Sequence, residues 1–561
     1  MASYETEEIL TNVTCNEDKS ELNDTHNVKT ESDYIVENEN IAIDTEVPVV
    51  LEEENLNRSD SHSVLLAVDS YEEITGTIES DYEEEVRKYS GTISEIEKIS
   101  TPEKEKHFVE DVPATSTTVS NDVDFSDRFE DLAIIEERES SEWQEKEELS
   151  WQQQEKHVFI LSEAGKPIYS RHGNEDRLVT MMGVMQALVS FVLDSKDVIR
   201  SISTGENGHV FAFLVRSPVI LVAVSRCGES ETQLMIQLTY IYSQILSFLS
   251  YTRLSSVFEQ RRNYDLRRLL TTCDKLIIDN LITLLDSDPG LLLGAVRCLQ
   301  LSNTVRDTIS QSIIQSCSKV KNLVFAILIS DRQLVTMVRM KKYSLHPADL
   351  HLIINMVDST ESFKSAESWT PICLPKFDSS GFLHGHISYL DENCPACLLL
   401  LTVDKDAFFT LASCRQKIVD RLKKYNCFDA LNESLANGNY SISEIGVPDL
   451  RHVMYKVKSL SQYTSPSISA VPYHIPEEST RLFRRYQYLH HRVHVGSRPL
   501  RILLHVGERE TLLGWVTSTF ELYATFEPLV TKSSAVNAVN KIIKWVKREE
   551  DKLFILTAPV F

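Results

Sequence analysis

Two cysteines and two histidines near the middle of the chain have a spacing that could bind a metal ion. Cys394 and Cys397 form a Cys-x-x-Cys pair, and His384 and His386 precede it. Zinc takes thiolate and imidazole ligands at such spacings, and histidines two positions apart on a strand face the same side. Cys397, however, falls at the start of an apolar strand, and the residues before it are typical of a turn. We therefore favour structural thiols and surface histidines, with a zinc-dependent enzyme as the alternative.

Ala164-Gly-Lys166 is similar to the end of a phosphate-binding loop, but its neighbours exclude that function. A Walker loop requires Gly where Ile160 stands, and Ser or Thr where Pro167 stands. The segment therefore predicts a hairpin turn. The sequence contains no Gly-x-Ser-x-Gly elbow, no His-Glu-x-x-His helix and no kinase signature set. We predict no catalytic residue, no cofactor and no covalent chemistry.

The segment Arg481–Arg492 is basic and carries aromatic residues between its charges. Its cations, with one just beyond it, are predicted to form one surface of Arg481, Arg484, Arg485, Arg492 and Arg498. Such a surface can hold anionic phosphoinositide headgroups or an acidic polypeptide, and a solvated basic helix face is the alternative. Nucleic acid is a poor candidate, because the folded part of the chain lacks a strongly basic footprint.

The negative charge of the chain is concentrated at one end. The net charge is −26, and residues 1–150 hold 43 of the 83 acidic residues but only 11 of the 57 basic residues. This segment lacks sustained apolar periodicity, so we predict a disordered acidic regulatory tail that shields the basic surface in cis. Two apolar islands, Val47–Leu51 and Val64–Val68, could be docking motifs, although transient contact within a random coil is the simpler interpretation.

Residues 156–285 are predicted to form an α/β domain. Two apolar runs around a Gly-containing turn predict a hairpin, and apolar residues at helical spacing predict a helix for which Asn174 is the N-cap. Three strands and two long helices follow. The predicted elements are His157–Leu161, Ile168–Arg171, a helix over 178–192, Val198–Ser203, His209–Val215, Val219–Ser225, and helices over 234–249 and 266–277.

The same order of elements recurs in residues 318–437 and, less regularly, in residues 450–561. In the second domain the elements are Leu323–Ile329, Leu334–Met340, a helix over 347–357, Pro371–Lys376, Leu383–Tyr389, Ala396–Val403 and a helix from Ala407 to Lys424. In the third they are Val453–Val457, a helix Thr480–His491, Arg501–Val506, Leu512–Phe520 and a helix Val536–Val546. The repetition predicts an α/β protein of three domains, each with its own sheet and helices.

Neither a secretory signal nor a membrane-spanning stretch is recognisable in the sequence. The first residues lack a basic head and an apolar core. The longest apolar runs are far shorter than the roughly 18–20 residues of a spanning helix. These features, with cysteines expected to be reduced, predict a cytoplasmic protein whose membrane contact is peripheral.

His157–Gly173 and Met181–Leu188 resemble the Mon/SAND family, the monensin-sensitivity subunit of a vacuolar and late-endosomal fusion complex. Other segments similar to that family are Tyr251–Leu254, Asn263–Leu270, Leu350–Asn355 and Phe554–Leu556. The resemblance covers residues 156–561. It implies three longin domains, each a five-stranded, mainly antiparallel sheet flanked by helices.

The resemblance also implies an activity and its partners. The family pairs with a similar Ccz subunit, and the pair is a guanine nucleotide exchange factor for the Rab GTPase of late endosomes. An early-endosomal Rab and phosphatidylinositol 3-phosphate recruit the pair to endosome and lysosome or vacuole membranes. The implied roles are endosome maturation, fusion and autophagy. Such a factor prefers the nucleotide-free GTPase, which requires a complementary surface rather than reactive groups.

The first domain is the expected docking site for the partner subunit and the GTPase. The candidate residues are Lys166, Tyr169, Arg171, Leu178, Met182 and Met185, on the hairpin and the helix that follows it. Methionines at this spacing are more often core than interface, so one side of the helix is expected to serve each purpose. The alternative function is a longin adaptor or tether that binds Rab or SNARE proteins without promoting nucleotide exchange.

Overall fold

The computed structural model describes residues 49–53, 66–67, 151, 153–205, 208–260, 265–471, 473–495 and 500–561. These residues lie in one compact body that runs from Val47 to Phe561. Three separate, mainly antiparallel sheets form within it, as the repeated order of elements predicts. Two short strands, β1 (Val49–Glu53) and β2 (Leu66–Ala67), precede the three domains. The rest of the predicted acidic tail, and Arg498, lie outside the described residues.

The first domain is a five-stranded sheet with helices on both faces. Its elements are β3 (Lys156–Ser162), β4 (Pro167–Ser170), α1 (Val179–Asp194), β5 (Ser201–Ser203), β6 (Val210–Arg216), β7 (Val219–Ser225), α2 (Glu231–Leu249), α3 (Tyr251–Gln260) and α4 (Thr272–Leu285). The strand order is β4-β3-β7-β6-β5. Alternate residues of β3 enter different cores, Val158 and Ile160 packing with α2 and α4, and Phe159 and Leu161 packing with α1. Burial on both faces explains why the central residues of this strand, Val158 to Leu161, are all apolar.

The second domain repeats this arrangement. Its elements are α5 (Pro289–Leu293), β8 (Val296–Arg297), α6 (Asn303–Cys317), β9 (Leu323–Ser330), β10 (Gln333–Arg339), α7 (Pro347–Ser359), α8 (Ser362–Ser365), β11 (Ser368–Leu374), β12 (Asp378–Asp391), β13 (Cys394–Thr402), α9 (Phe408–Lys424) and α10 (Cys427–Asn437). The strand order is β10-β9-β13-β12-β11. Pro347 occupies the first turn of α7, as predicted. The N–H groups of a first turn have no acceptor within the helix, so a proline, which lacks an N–H, costs no hydrogen bond there.

The third domain has a longer sheet, because strands from elsewhere extend both edges. Its elements are α11 (Ile442–Ile445), β14 (Leu450–Val457), β15 (Gln462–Thr464), α12 (Pro476–His494), β16 (Ile502–Val506), β17 (Thr511–Val516), β18 (Phe520–Phe526) and α13 (Lys532–Leu553). The sheet runs β2-β1-β16-β17-β18-β14-β15-β8. The five central strands form this domain's own sheet, and β1 and β8 add to its edges in parallel.

The two apolar islands of the acidic tail supply β1 and β2. The backbone of β1 pairs with β16 from Val49 opposite Ile502 to Glu53 opposite Val506. Pairing of an extended segment with an exposed sheet edge is a common mode of peptide docking. For these positions the structure therefore favours the docking-motif interpretation over a random coil.

Buried polar contacts join the first two domains. Asn355 of α7 is 1% exposed and donates to the side chain of Gln244 and to the carbonyl of Ile277, each at 2.9 Å. Leu352 of α7 packs in the core of the first domain, and Ile277 of α4 packs in the core of the second. Each domain thus inserts a side chain into the core of the other, and these buried contacts fix the relative position of the two sheets.

Several predicted boundaries were wrong. Asn174 does not cap α1, which begins at Val179 after Leu178, because residues 174–177 form a turn in which Asn174 accepts from the backbone of Asp176. The predicted helix over 266–277 is a 3-10 turn followed by α4, which starts at Thr272. The predicted strand Leu512–Phe520 is two strands, β17 and β18. Six helices were missed, namely α3, α5, α6, α8, α10 and α11.

Candidate functional site

The hairpin of the first domain is held against helix α4 by its polar side chains. The Tyr169 hydroxyl donates to Asp279 at 2.5 Å, and burial, with that hydrogen bond, raises the pKa of Tyr169. The Arg171 guanidinium donates to the carbonyl of Asp279 at 2.9 Å and to the hydroxyl of Thr283 at 3.0 Å. Two of the predicted binding residues therefore position the hairpin on α4. In this conformation Tyr169, which is 2% exposed, offers no surface to a partner.

Helix α1 buries one side against the sheet. Met182 and Met185 are 0% and 5% exposed and pack with Phe159 and Phe213 on the strands. Leu178, at the N-terminal end of α1, is half-buried against the same cluster. The two methionines therefore lie in the domain's own core. Of the two roles predicted for α1, core packing and partner binding, its buried side serves core packing.

The exposed large side chains of α1 are apolar, and two of them, Val184 and Phe191, lie opposite the buried methionines. The exposed large side chains of the helix and one just beyond it are Val179 (46% exposed), Val184 (40%), Phe191 (66%), Leu193 (45%) and Val198 (55%). We call these five residues the α1 face. Asp194 at the C-terminal end is the one charged residue among the 16 of this helix. A surface helix normally carries charges on its outer side, and an apolar outer side indicates contact with another surface.

The hairpin turn lies beside the α1 face. A Cβ built on Gly165 would come within 3.5 Å of the Gly183 Cα and 3.4 Å of the Gln186 Cβ, so turn and helix touch through their glycines. Gly165 has φ +73°, which a glycine adopts without strain. Lys166 follows it, with its side chain exposed. The site therefore joins an apolar helix face to a cation at its rim, and the binding role of Lys166 stays a prediction.

A buried ionic cluster supports the sheet behind the site. Lys156 on β3 lies 3.0 Å from Glu229 and 2.5 Å from Asp286, and it donates to the Gln237 side chain at 2.7 Å. Burial lowers the pKa of Lys156, but the two carboxylates outweigh it and raise that pKa above its usual value. Burial acts to raise the pKa of Glu229, but Lys156 holds it below its usual range. Lysine and glutamate are therefore both charged at neutral pH.

The predicted basic surface is largely engaged within the chain. Arg481 pairs with Glu478 at 2.7 Å and with the buried carboxylate of Glu510. Arg484 pairs with Glu155 of the first domain at 2.5 Å, and the Arg485 guanidinium lies 3.9 Å from Glu510. Burial alone would raise the pKa of Glu510, but Arg481 lowers it. Phosphoinositide binding here, together with Arg492, stays a prediction.

The middle-domain cysteines do not converge with the histidines. Cys394 packs in the cluster beneath one face of the sheet and Cys397 in the cluster beneath the other, because residues three apart on a strand point to opposite faces. His386 forms a hydrogen bond of 2.9 Å with the Glu367 carboxylate, and the ring of His384 stacks on that of Trp369. The geometry agrees with the favoured interpretation of structural thiols, although the histidines are not both at the surface, since His386 is 0% exposed.

One cluster of potential metal ligands was missed in the sequence. His490 and His494 on α12 and Glu521 on β18 each offer a ligand atom, and these atoms lie within 4.8 Å of one another. Two histidines four residues apart on a helix are a recognisable signal, but the carboxylate comes from a distant strand. Within the described part of the chain, no helix is long and apolar enough to cross a membrane.

Family models match each of the three domains. The model described as the first longin domain of FUZ, MON1 and HPS1 matches residues 156–281. The corresponding second and third longin domains match residues 321–420 and 449–550. A crystal structure of the bacteriophytochrome RpBphP3 from R. palustris aligns at 7% identity with a TM-score of 0.14, over 71% of this chain and 96% of that chain, which is too low to carry an argument.

Curated relatives align over most of the chain. It is 52% identical over 406 residues to Vacuolar fusion protein MON1 homolog A of Gallus gallus, covering 72% of this chain and 73% of that protein. It is 50% identical over 402 residues to Protein SAND of Takifugu rubripes, covering 72% and 76%. It is 42% identical over 428 residues to Vacuolar fusion protein MON1 homolog B of Homo sapiens, covering 73% and 77%. With three longin domains in the expected order, these matches show that the chain belongs to the Mon/SAND family.

Proposed function

We propose that this chain is a subunit of a guanine nucleotide exchange factor that activates a late-endosomal Rab GTPase. Relatives bear the name vacuolar fusion protein, which supports a role for this chain in endosomal and vacuolar trafficking. The observation that carries the proposal is the α1 face. A largely apolar helix side, with Asp194 at its end as the one charge, on the first of three longin domains, is suited to bind another protein.

The α1 face would bind a Ccz-type subunit that is itself built of longin domains. Phe191 projects furthest, at 66% exposed, and aromatic side chains dominate the energy of protein interfaces. Lys166 lies at the rim, where a cation contributes more to orientation and association rate than to affinity. The GTPase would lie across the paired first domains, with the hairpin turn at its edge.

Exchange by such a pair follows from differential binding. The factor binds the nucleotide-free GTPase more tightly than the nucleotide-bound form, and this difference offsets the cost of opening the nucleotide site. A ligand shifts an equilibrium only by its difference in affinity for the two states. The mechanism uses complementary surfaces and no covalent intermediate, so we propose a protein without bond-making chemistry of its own. An early-endosomal Rab and a phosphoinositide membrane would recruit it.

The test is the release of a fluorescent nucleotide from purified late-endosomal Rab. We expect acceleration by this chain together with its Ccz-type partner, and a loss of that acceleration in Phe191→Asp. Phe191 leaves about 130 Å² of a side chain of about 200 Å² available for burial. At about 25 cal/mol/Å² this area stabilises the pair by about 3 kcal/mol, or roughly 200-fold in Kd.

The matched control is Phe409→Asp, which changes an 83% exposed phenylalanine of the second domain. This variant should pair and exchange as the unchanged chain does. If the wild-type pair forms but does not accelerate nucleotide release, the chain is an adaptor or tether, the alternative function. If Phe191→Asp pairs with unchanged Kd, the partner binds elsewhere.

A further inference from the structure

The third domain brings two imidazoles and a carboxylate together at the end of α12. His490 and His494 are one helical turn apart, and Glu521 lies opposite them on β18. The ligand atoms of all three lie within 4.8 Å of one another. The two imidazole rings are 4.3 Å apart between centroids. His494 is exposed and Glu521 is buried, so the cluster is open to solvent on one side.

His494 is oriented as a metal ligand would be. Its Nδ1 lies 2.9 Å from the carbonyl oxygen of His490. Because a carbonyl only accepts, Nδ1 carries the hydrogen, and in the neutral imidazole Nε2 keeps the lone pair that a metal ion would bind. That Nε2 lies 3.7 Å from the Oε2 of Glu521. Bonds of about 2.0–2.1 Å to tetrahedral zinc place neighbouring ligands about 3.3 Å apart, so a small approach would bring both atoms to one ion.

Glu521 is oriented by its own neighbours. Its Oε1 faces the ammonium groups of Lys456 at 3.6 Å and Lys458 at 3.4 Å. Its Oε2, which faces the imidazoles, accepts from the Tyr523 hydroxyl at 3.3 Å. The lysines therefore hold the oxygen that points away from the histidines. The positive charge of the two lysines weakens the attraction of this carboxylate for hard cations such as Ca²⁺, which depend on carboxylate ligands. Transition metal ions, which bind imidazole strongly, are therefore the better candidates.

We propose that His490, His494 and Glu521 form a site for a divalent transition metal ion, with zinc as the expected occupant. Three protein ligands with one side open to solvent leave the fourth position to water. The ion would fasten the C-terminal end of α12 to β18. The same helix contacts the first domain, where His491 lies 3.0 Å from the Ser230 hydroxyl. The role assigned is structural, it lies outside the α1 face, and it does not depend on the exchange function.

The test uses the full-length chain, without an affinity tag, titrated with Co²⁺ as a spectroscopic probe and with Zn²⁺ by calorimetry. We expect one ion per chain, with visible bands typical of tetrahedral Co²⁺ and no thiolate charge-transfer band. His494→Ala should weaken binding at least tenfold, as expected when an ordered ligand is lost. Because His494 is exposed, this variant should keep the metal-free Tm of the unchanged chain.

The matched control is His491→Ala, which removes the neighbouring histidine outside the cluster. It should bind Co²⁺ with unchanged Kd. Zinc should raise the Tm of the unchanged chain and of His491→Ala but not that of His494→Ala. Absence of one-to-one binding, or equal binding by both variants, would overturn the proposal and leave His494 and Glu521 as an ion pair only.

Discussion

Replacement of Lys156 by methionine tests how the first domain holds its sheet. Lys156 is 9% exposed and is the cation between Glu229 and Asp286. In Lys156→Met, Glu229 keeps hydrogen bonds from the Gln237 amide at 2.7 Å and the Ser225 hydroxyl at 2.8 Å, but it loses its counter-charge. Its side chain is only 4% exposed, so water cannot compensate. A buried carboxylate is therefore left without a cation.

The expected cost is about 3–5 kcal/mol in the free energy of unfolding, which is typical when one partner of a buried ion pair is removed. The measurement is urea unfolding followed by circular dichroism. The double variant Lys156→Met with Glu229→Gln removes the uncompensated charge and should recover most of the loss. Lys364→Met is the control, because Lys364 is 50% exposed and pairs with an exposed Glu361, so its effect should stay within about 0.5 kcal/mol.

The pH dependence gives a second, independent check. In the unchanged chain Lys156 keeps the pKa of Glu229 low, so this carboxylate contributes stability that is lost as pH falls through its folded pKa. In Lys156→Met, burial should raise that pKa above the unfolded value, so the variant should regain stability as pH falls from 7 toward 5. A cost below about 1 kcal/mol, or the same pH slope in both proteins, would refute the reasoning.

Three further predictions concern buried positions. Asn355→Leu should cost about 1–3 kcal/mol, since it leaves the side-chain oxygen of Gln244 and the carbonyl of Ile277 without their donor between two domains, and faster proteolysis between those domains checks it. Burial lowers the pKa of His452 to about 3. Between about pH 6.5 and that value, His452 is therefore protonated in the unfolded chain but neutral in the folded chain. Stability should fall by about 2 kcal/mol at pH 5 from this residue, and His452→Gln should flatten the pH slope of urea midpoints. Gly290→Ala should cost about 1–3 kcal/mol in thermal unfolding, because its Cβ would lie 2.8 Å from the carbonyl of Ala295.

The repeated architecture was predictable because local patterns determine it. Both hairpins were predicted from the apolar runs of β3 and β9 and the turn residues that follow them. Helix α7 was predicted from the helical spacing of its apolar residues. Helix α6 was missed because serines occupy part of its buried side, among them Ser310 and Ser312, so its apolar periodicity is weak. Boundaries failed where short turns separate similar elements, as at Thr517–Thr519 between β17 and β18.

The candidate site was only partly predictable. The spacing of Met182 and Met185 indicated one buried side of α1, and the exposed side followed from it. The roles of Tyr169 and Arg171 could not be predicted, because their partner Asp279 is more than 100 residues away in sequence. The same limit applies to Arg484, whose partner Glu155 lies 329 residues away. A basic segment identified from sequence alone therefore overstates the charge that is available to a membrane.

The position of α12 connects the third domain to the surface proposed for partner binding. Arg484 and His491 of α12 contact the first domain at Glu155 and Ser230, the latter being the N-cap of α2. Helix α2 packs beneath the sheet on the side opposite to α1. A change in the angle of α12 would therefore act on the sheet that carries the α1 face. Because protein cores resist continuous deformation, such a change is transmitted as movement of whole elements rather than absorbed locally. Stability measurements on α12 variants should consequently be paired with measurements of partner binding at the α1 face.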